Sequence, residues 1–197
     1  QDFSVGDKRW RILYATTWGE PLARWNEQQF WTPKAAEPEA YDRLILLLDS
    51  PAFTASEKTG PGGARVVLDD VQDVTKPIAM PLVISGATNT NETFLPGGPF
   101  GELHIVAGNS GVEPAVEIPS GGLTQRPDPA PGFAEATGTI GTAGFWGVGL
   151  HQGNLDVRFF EQADDGSHQL AWRVLRDGSG WHPPKVTTSR SSAKFQR

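Results

Sequence analysis

Histidine side chains are the first candidates for chemistry in this sequence, because imidazole serves both as a metal ligand and as a general base. The chain has four, at His104, His151, His168 and His182. No two of them stand at HxH or HxxxH spacing, and the chain has no cysteine. A zinc site would therefore need ligands from distant segments, and we predict neither a metal ion nor any other cofactor.

A loop over residues 108–111, with the sequence GNSG, is similar to the GDSG-type loop of chymotrypsin-like serine proteases. The catalytic histidine and aspartate of those proteases both precede the serine in the chain. Here no histidine precedes His104, so none lies upstream of Asp69 or Asp70. We interpret the loop as a β-turn in which Asn109 and the glycines supply the turn conformation.

Two pairs of adjacent acids could act as general acid and base, but their positions argue against it. Glycosidases need two carboxylates that face one cleft, roughly 5–9 Å apart. Neighbouring residues of a strand point to opposite faces, which would separate Asp69 from Asp70 in the strand predicted there. Asp164 and Asp165 precede Gly166, where turn formation explains them. We therefore predict no catalytic residue.

Four glycines, at positions 141, 144, 147 and 149, are spaced somewhat like a nucleotide-binding loop. A dinucleotide-binding fingerprint requires a strand before the glycines and a helix after them, whereas the sequence here continues into another predicted strand. We interpret the glycines as positions that let Phe145 and Trp146 pack closely.

Tryptophans and loop asparagines supply the candidate binding residues. Three of the seven tryptophans lie beside predicted turns, where an exposed ring could contact a sugar or a protein. A polar loop is predicted over residues 86–99, and within it Asn91 begins an N-x-T glycosylation pattern. The candidate receptor- or ligand-binding residues are Trp18, Trp25, Asn89, Asn91, Asn109 and Trp181.

Short strands separated by turn-forming residues dominate the sequence. Strands are predicted over residues 9–18, 28–32, 41–48, 64–71, 78–85, 102–107, 112–118, 133–140, 143–150, 155–162 and 168–175. Pro81 indicates an edge position or a bulge in its strand. With 23 glycines and 16 prolines in 197 residues, we expect an all-β fold, an antiparallel sandwich or barrel with long Gly/Pro-rich loops and little helix. Residues 1–197 are expected to form a single domain, excised from a longer chain.

The charge and hydropathy of the chain bear on its partners. A net charge of −6 and a pI of about 5.2 argue against a nucleic-acid partner, which would require a basic face. The longest apolar run covers residues 44–48, far short of the ~18 residues of a membrane span. We therefore expect neither nucleic-acid binding nor membrane insertion.

The C-terminal hairpin resembles one found in viral capsids. Its components are residues 157–160 (VRFF), the turn Asp165-Gly166, residues 170–175 (LAWRVL), the turn Asp177-Gly178, and Trp181. This order is similar to the late hairpin of calicivirus capsid protruding domains. The loop-rich β character is similar to the projection domains of astrovirus capsids, and the short length favours the astrovirus-like version.

The resemblance implies a capsid spike that is displayed on the virion surface, forms a homodimer, and binds a host receptor or glycan without covalent chemistry. One alternative is a lectin-like, carbohydrate-binding domain of a cell, secreted or cytoplasmic. Another is a hydrolase whose site converges from separate loops, with His151, His168 and nearby acids as its candidate residues.

Overall fold

The computed structural model describes residues 1–15, 37, 40–52, 64–75, 78–86, 91–96, 101–107, 133–140, 144–163, 165–183 and 185–186. The strands of the N-terminal part are β1 (Asp2–Val5), β2 (Lys8–Ala15), β3 (Arg43–Leu48), β4 (Ala79–Ser85), β5 (Asn91–Pro96) and β6 (Leu103–Ala107). Helix α1 (Ala64–Val74) lies between β3 and β4 in the chain. The later strands are β7 (Phe133–Ile140), β8 (Gly144–His151), β9 (Asn154–Gln162), β10 (His168–Asp177), β11 (Gly180–Trp181) and β12 (Lys185–Val186).

The first sheet has seven strands in the order β1-β2-β3-β4-β6-β5-β7. Its four middle strands, β2, β3, β4 and β6, pair in parallel, so the prediction of antiparallel pairing is wrong for them. Parallel strands are joined by long crossover connections. The alternation of apolar and polar residues within one strand does not indicate the direction of its neighbour. The buried strand predicted over residues 41–48 is confirmed for residues 43–48. Four of these six residues are buried, on both faces of the strand, as expected in a parallel sheet.

Helix α1 replaces the strand predicted over residues 64–71. The valines of this segment favour a strand locally, but burial is one-sided with a helical period. Val67, Leu68 and Val71 are buried in the core, whereas Asp69 and Asp73 are exposed. Packing on one face of the first sheet therefore overrides the local preference.

Strand β5 lies within the polar loop predicted over residues 86–99. Asn91, Glu92 and Thr93 are buried, because β5 pairs with β6 on one side and with β7 on the other. The loop prediction is therefore wrong for residues 91–96, and residues 87–90 and 97–100 lie outside the described residues.

Pro81 lies in a central strand, at an irregular position. Arg43 of β3 is opposite Ala79, but Ile45 is opposite Leu82, so β4 has one extra residue between these pairs. The prediction of a bulge is confirmed and that of an edge position is wrong. A bulge accommodates the missing N–H of proline without breaking the ladder elsewhere.

The second sheet is antiparallel, with the order β11-β10-β9-β8 and β12 beside β10. Its strands agree with those predicted over residues 143–150, 155–162 and 168–175, with small differences at their ends. The turn between β9 and β10 has Gly166 at a φ of 79°, the left-handed conformation expected of that glycine.

Two apolar clusters form the core. The first lies between α1 and one face of the first sheet, and includes Leu44, Leu46, Leu68 and Val71. The second takes side chains from both sheets, among them Trp10, Ile45 and Ile105 from the first and Val157, Phe159 and Trp172 from the second. We call the second cluster the shared core. The structure is thus mainly β, with two sheets and a short helix.

The predicted strands over residues 28–32 and 112–118 lie outside the described residues. In the part of the chain that is described, no helix combines the length and apolar character that crossing a membrane requires.

Candidate functional site

The face of the second sheet that points away from the shared core carries the candidate site, and we call it the outer face. On β8, Trp146, Val148 and Leu150 pack against the shared core. Side chains alternate along a strand, so Phe145 and the glycines at 147 and 149 belong to the outer face. On β9 the same rule places Asp156, Arg158 and Phe160 there, since Leu155, Val157 and Phe159 are in the shared core.

An aromatic group occupies one end of the outer face. Phe145 is opposite Phe160 in the β8–β9 register, and their rings stack with centroids 5.0 Å apart. His168 of β10 meets the Phe145 ring edge-on at 5.1 Å. Phe145 remains 48% exposed, although phenylalanine is usually buried in folded proteins. The group presents a ring that is held in place by two neighbours and open to solvent.

Two arginines and an aspartate lie next to the aromatic group. Asp156 accepts hydrogen bonds at 2.8 Å from both Nε and Nη2 of Arg173, and it also pairs with the Arg158 guanidinium. Hydrogen bonds from Arg173 have the largest effect on the pKa of Asp156. Burial opposes them, but hydrogen bonds from Arg158 and the charges of both arginines add to them and lower the pKa to about 2. Asp156 therefore stays ionised, and it fixes the positions of both guanidinium groups.

The two groups are spaced for a ligand that touches both. Phe160 and Arg158 are two residues apart on one strand, which corresponds to about 7 Å along the outer face. Gly147 is opposite Arg158, and Gly149 is opposite Asp156. These glycines leave the β8 side of the arginine group without side chains. The outer face thus presents an apolar aromatic pair at one end and fixed charged groups beside it.

This arrangement suits noncovalent recognition better than acid–base chemistry. The carboxylate is held in ion pairs, and an ion-paired carboxylate with a low pKa is a poor general base near neutral pH. Among the described residues, no three of the types His, Cys, Asp and Glu are grouped as metal ligands.

Asn91 is described by the structure, but its position differs from the predicted one. It is 1% exposed at the start of β5, and its Oδ1 accepts a hydrogen bond of 3.1 Å from Trp146 Nε1. The N-x-T pattern thus lies in a buried strand and not in a surface loop. Asn91 links the first sheet to the second, which is a structural role.

Trp181 is partly buried and far from Asn91. Its Nε1 donates to the Gly101 carbonyl at 2.8 Å, and Gly101 precedes the start of β6. Asn91 is opposite Ala107, at the end of β6, so these two predicted site residues lie at opposite ends of the sheet. The other four, Trp18, Trp25, Asn89 and Asn109, lie outside the described residues.

The histidines do not converge. His151 is opposite Asn154 and His168 is opposite Gln162, so the two histidines lie at opposite ends of the second sheet, about 26 Å apart along β9 at 3.3 Å per residue. His104 is buried, with its Nε2 3.6 Å from Glu102. His182 contacts Asp177 at 2.7 Å, next to a turn.

Sequence reasoning did not identify the residues of the outer face. Both aromatic residues beside the glycines make close ring contacts, but Trp146 packs inward, whereas Phe145 packs on Phe160 and His168 at the outer face and stays 48% exposed. The available signal was the alternation itself, because adjacent residues of a strand cannot both face one core. That signal separates Phe145 from Trp146, and it groups Phe145 with Phe160 once β8 and β9 are paired.

No protein-family profile and no curated protein sequence matches this chain. Solved structures do resemble it in fold. One is titled "GAP50 the anchor in the inner membrane complex of Plasmodium", with a TM-score of 0.58 and 16% identity over 96% of this chain and 54% of that one. Another is the purple acid phosphatase PPD1 from yellow lupin, with a TM-score of 0.52 and 15% identity over 86% of this chain and 31% of that one.

A third similar structure is a Vps29 mutant from Entamoeba histolytica, with a TM-score of 0.34 and 13% identity over 84% of this chain and 99% of that one. The chain spans about half of the GAP50 structure and about a third of the phosphatase structure. At these identities the likeness to GAP50 and to the phosphatase concerns the fold alone.

Proposed function

We propose that this chain is a non-catalytic binding domain that recognises a carbohydrate through the outer face of its second sheet. The observation that carries the proposal is the exposed Phe145 ring, stacked on Phe160 beside the Asp156–Arg158–Arg173 group. A sugar ring offers C–H groups on one face and hydroxyls around its rim. An open aromatic ring suits the first, and fixed charged groups suit the second.

The attachment role expected from the capsid resemblance is consistent with this surface. Residues 157–181, which carry the resemblance, form most of β9, together with β10 and β11. Arg158, Phe160 and Arg173 of the outer face belong to that stretch. We accordingly propose a capsid spike that binds a host glycan, with a homodimer displayed on the virion surface. A lectin-like domain of a cell would use the same outer face.

We also infer that the two sheets stack face to face, in the manner of the expected sandwich. Support comes from the shared core, which takes side chains from both sheets. A stacked pair of sheets holds one face of each against the core and leaves the other face of the second sheet available.

A hydrolase remains the alternative from another class. One of the structures similar in fold is a phosphatase, but fold likeness by itself does not carry function. Within the described residues the candidates His151 and His168 are far apart, so this alternative rests on fold analogy.

A glycan array followed by titration tests the proposal. Burying a phenylalanine fully contributes about 1.5–3 kcal/mol, and Phe145 leaves 48% of its surface for a ligand. About half of that range is about 0.7–1.4 kcal/mol. We therefore expect Phe145→Ala to weaken binding of the best glycan about three- to tenfold, since 1.4 kcal/mol is a factor of ten. Tyr14→Ala is the matched control, because Tyr14 of β2 is 66% exposed and belongs to the other sheet.

Equal affinities of the wild type and Phe145→Ala would contradict the proposed face, as would an equal loss in Tyr14→Ala. The absence of any glycan that binds at millimolar concentration would contradict the carbohydrate class. Sedimentation at high concentration tests the homodimer, and a strictly monomeric species would count against it.

A further inference from the structure

Three buried N–H donors at one end of the shared core have no acceptor among the described residues. They are Nε1 of Trp10 and the Nε atoms of Arg43 and Arg176. Indole and guanidinium nitrogens only donate hydrogen bonds. A buried donor without an acceptor destabilises the fold, so three of them together indicate a ligand that accepts hydrogen bonds.

The strand register brings these residues to the same end of the core. Trp10 is directly opposite Arg43 in the β2–β3 pair, and Ile45 of the shared core is two residues further along β3, on the same face. Arg176 follows Trp172 and Val174 on the core side of β10, and is opposite Leu155 and Trp181. Arg43 and Arg176 thus lie on the core sides of the two sheets, and they are close enough for the charge of Arg43 to act on Arg176.

Arg176 is the more deeply buried of the pair. The residue is 7% exposed. Desolvation, followed by the charge of Arg43, lowers its pKa, and the charge of Asp177 opposes them with a smaller effect. The Trp181 ring lies to one side, with its centroid 5.9 Å from the guanidinium carbon. Two like charges that share a desolvated space are unfavourable unless a negative charge joins them.

The carboxylates next to the two arginines in the chain, Asp42 and Asp177, are hydrogen-bonded to other groups, although the charge of Asp177 also acts on Arg176. Asp42 accepts hydrogen bonds from the backbone N–H of Arg9 at 2.8 Å and from its guanidinium at 3.3 Å. Among the described residues, Arg43 donates a hydrogen bond to the Asp42 carbonyl, through Nη1 at 2.8 Å. Asp177 accepts from Ser179 and contacts His182 at 2.7 Å. Within the described chain, no carboxylate is hydrogen-bonded to Arg176.

We propose that Arg43, Arg176 and Trp10 form a binding site for a small dianionic oxyanion, a phosphate or sulfate group. Guanidinium groups bind such oxyanions through paired N–H donors, and two cations match a charge of −2. The site lies on the core side of the second sheet, so it is separate from the proposed carbohydrate face. Its ligand is either a free anion or the phosphate or sulfate ester of a larger molecule.

Equilibrium dialysis with radiolabelled sulfate tests the site directly. We expect one sulfate bound per chain in the wild type, and none in Arg176→Met or Arg43→Met. Lys185→Met is the control, because it removes the same charge from an exposed residue of β12. Zero stoichiometry in the wild type would overturn the proposal, as would unchanged binding in both arginine variants.

Thermal unfolding gives a second readout. At ten times its Kd, sulfate should raise the Tm of the wild type by about 3–5 °C, and sodium chloride at equal ionic strength should not. Arg176→Met should melt at the wild-type temperature or above it without sulfate, because it removes a buried unpaired charge, and it should lose the sulfate response. An equal response to chloride would overturn the proposal.

Competition then identifies the source of the anion. A phosphorylated monosaccharide that displaces sulfate more tightly than inorganic phosphate does would identify an ester as the ligand. Equal or weaker displacement would identify the free anion. If Arg176→Met does not fold, Arg43→Met and the wild-type stoichiometry decide the matter in the same way.

Discussion

Replacing Gly144 by alanine should destabilise the protein far more than any other glycine substitution in β8. A Cβ at this position would lie 2.5 Å from Cζ of Phe159 and well inside contact distance of the Phe160 carbonyl oxygen. Carbon atoms pack at about 3.5–4.0 Å, so the Phe159 ring would have to retreat by about 1 Å. That ring is fully buried and packs against Trp146 with centroids 4.9 Å apart.

The clash with a backbone atom as well as a ring sets the magnitude. Overpacking costs typically 1–3 kcal/mol, and we expect the upper end, about 3 kcal/mol, because the Phe160 carbonyl cannot move without disturbing the β8–β9 ladder. A domain of this size loses about 2–4 °C of Tm per kcal/mol. The Tm of Gly144→Ala should therefore fall by about 6–12 °C, as measured by calorimetry.

Gly149→Ala is the matched control on the same strand. A Cβ there would lie 3.6 Å from Asp156, which is ordinary contact, and alanine suits a strand better than glycine does. Its Tm should stay within about 2 °C of the wild type. If Gly144→Ala melts at the same temperature as Gly149→Ala, the close approach of β9 to Gly144 is wrong.

Two further predictions concern the second sheet. The pKa of Asp156 is lower in the folded protein, at about 2, than in the unfolded chain, at about 3.9, so its contribution is present above pH 4 and is lost as the pH falls towards 2. In the wild type, the free energy of unfolding should therefore fall by about 1–2 kcal/mol from this residue between pH 7 and pH 3, and Asp156→Asn should lack that part of the fall. Urea unfolding at the two pH values measures it, and an unchanged pH profile would contradict the ion pairs. Trp146→Phe should lower the free energy of unfolding by about 1 kcal/mol more than Trp172→Phe does, as measured in urea. The reason is that Trp146 Nε1 donates to Asn91, whereas Trp172 Nε1 has no partner among the described residues. Equal losses in the two variants would count against that hydrogen bond.

Local patterns predicted the second sheet well and the first sheet only in part. Strands β8, β9 and β10 follow one another through short turns. The alternation of apolar residues and the turn at Gly166 therefore suffice to predict these strands and their antiparallel pairing. In the first sheet, Ile12 pairs with Ile45, and Ile45 pairs with Leu82. Those partners are far apart in the chain, and nothing in either segment indicates a parallel direction.

The errors at α1 and β5 have the same physical origin. Val67 and Val71 fit a strand by intrinsic preference, and only burial on one side of the first sheet selects a helix. Asn91 and Glu92 have the composition of a loop, but pairing on both sides buries them. In each case contacts with distant segments outweigh the local preference.

The candidate site was missed because the sequence does not say which aromatic residues are exposed. Phe145 and Phe160 are 15 positions apart in the chain, and only the β8–β9 register places them together. The tryptophans beside predicted turns were chosen on the general rule that residues near turns are exposed to solvent. Trp181 departs from that rule because its indole N–H is bound to the Gly101 carbonyl.

The parallel pairing in the middle of the first sheet has a consequence for how the chain folds. Each of the β2–β3 and β3–β4 pairs joins residues more than 30 positions apart, so a long loop must close before either forms. The β8–β9–β10 meander closes through short turns and can form first. Until the parallel strands assemble, residues 44–48 of β3 are exposed to solvent as an uncharged apolar segment, open to pairing with other chains. The slow step of folding is thus also the step at which this protein is most prone to aggregate.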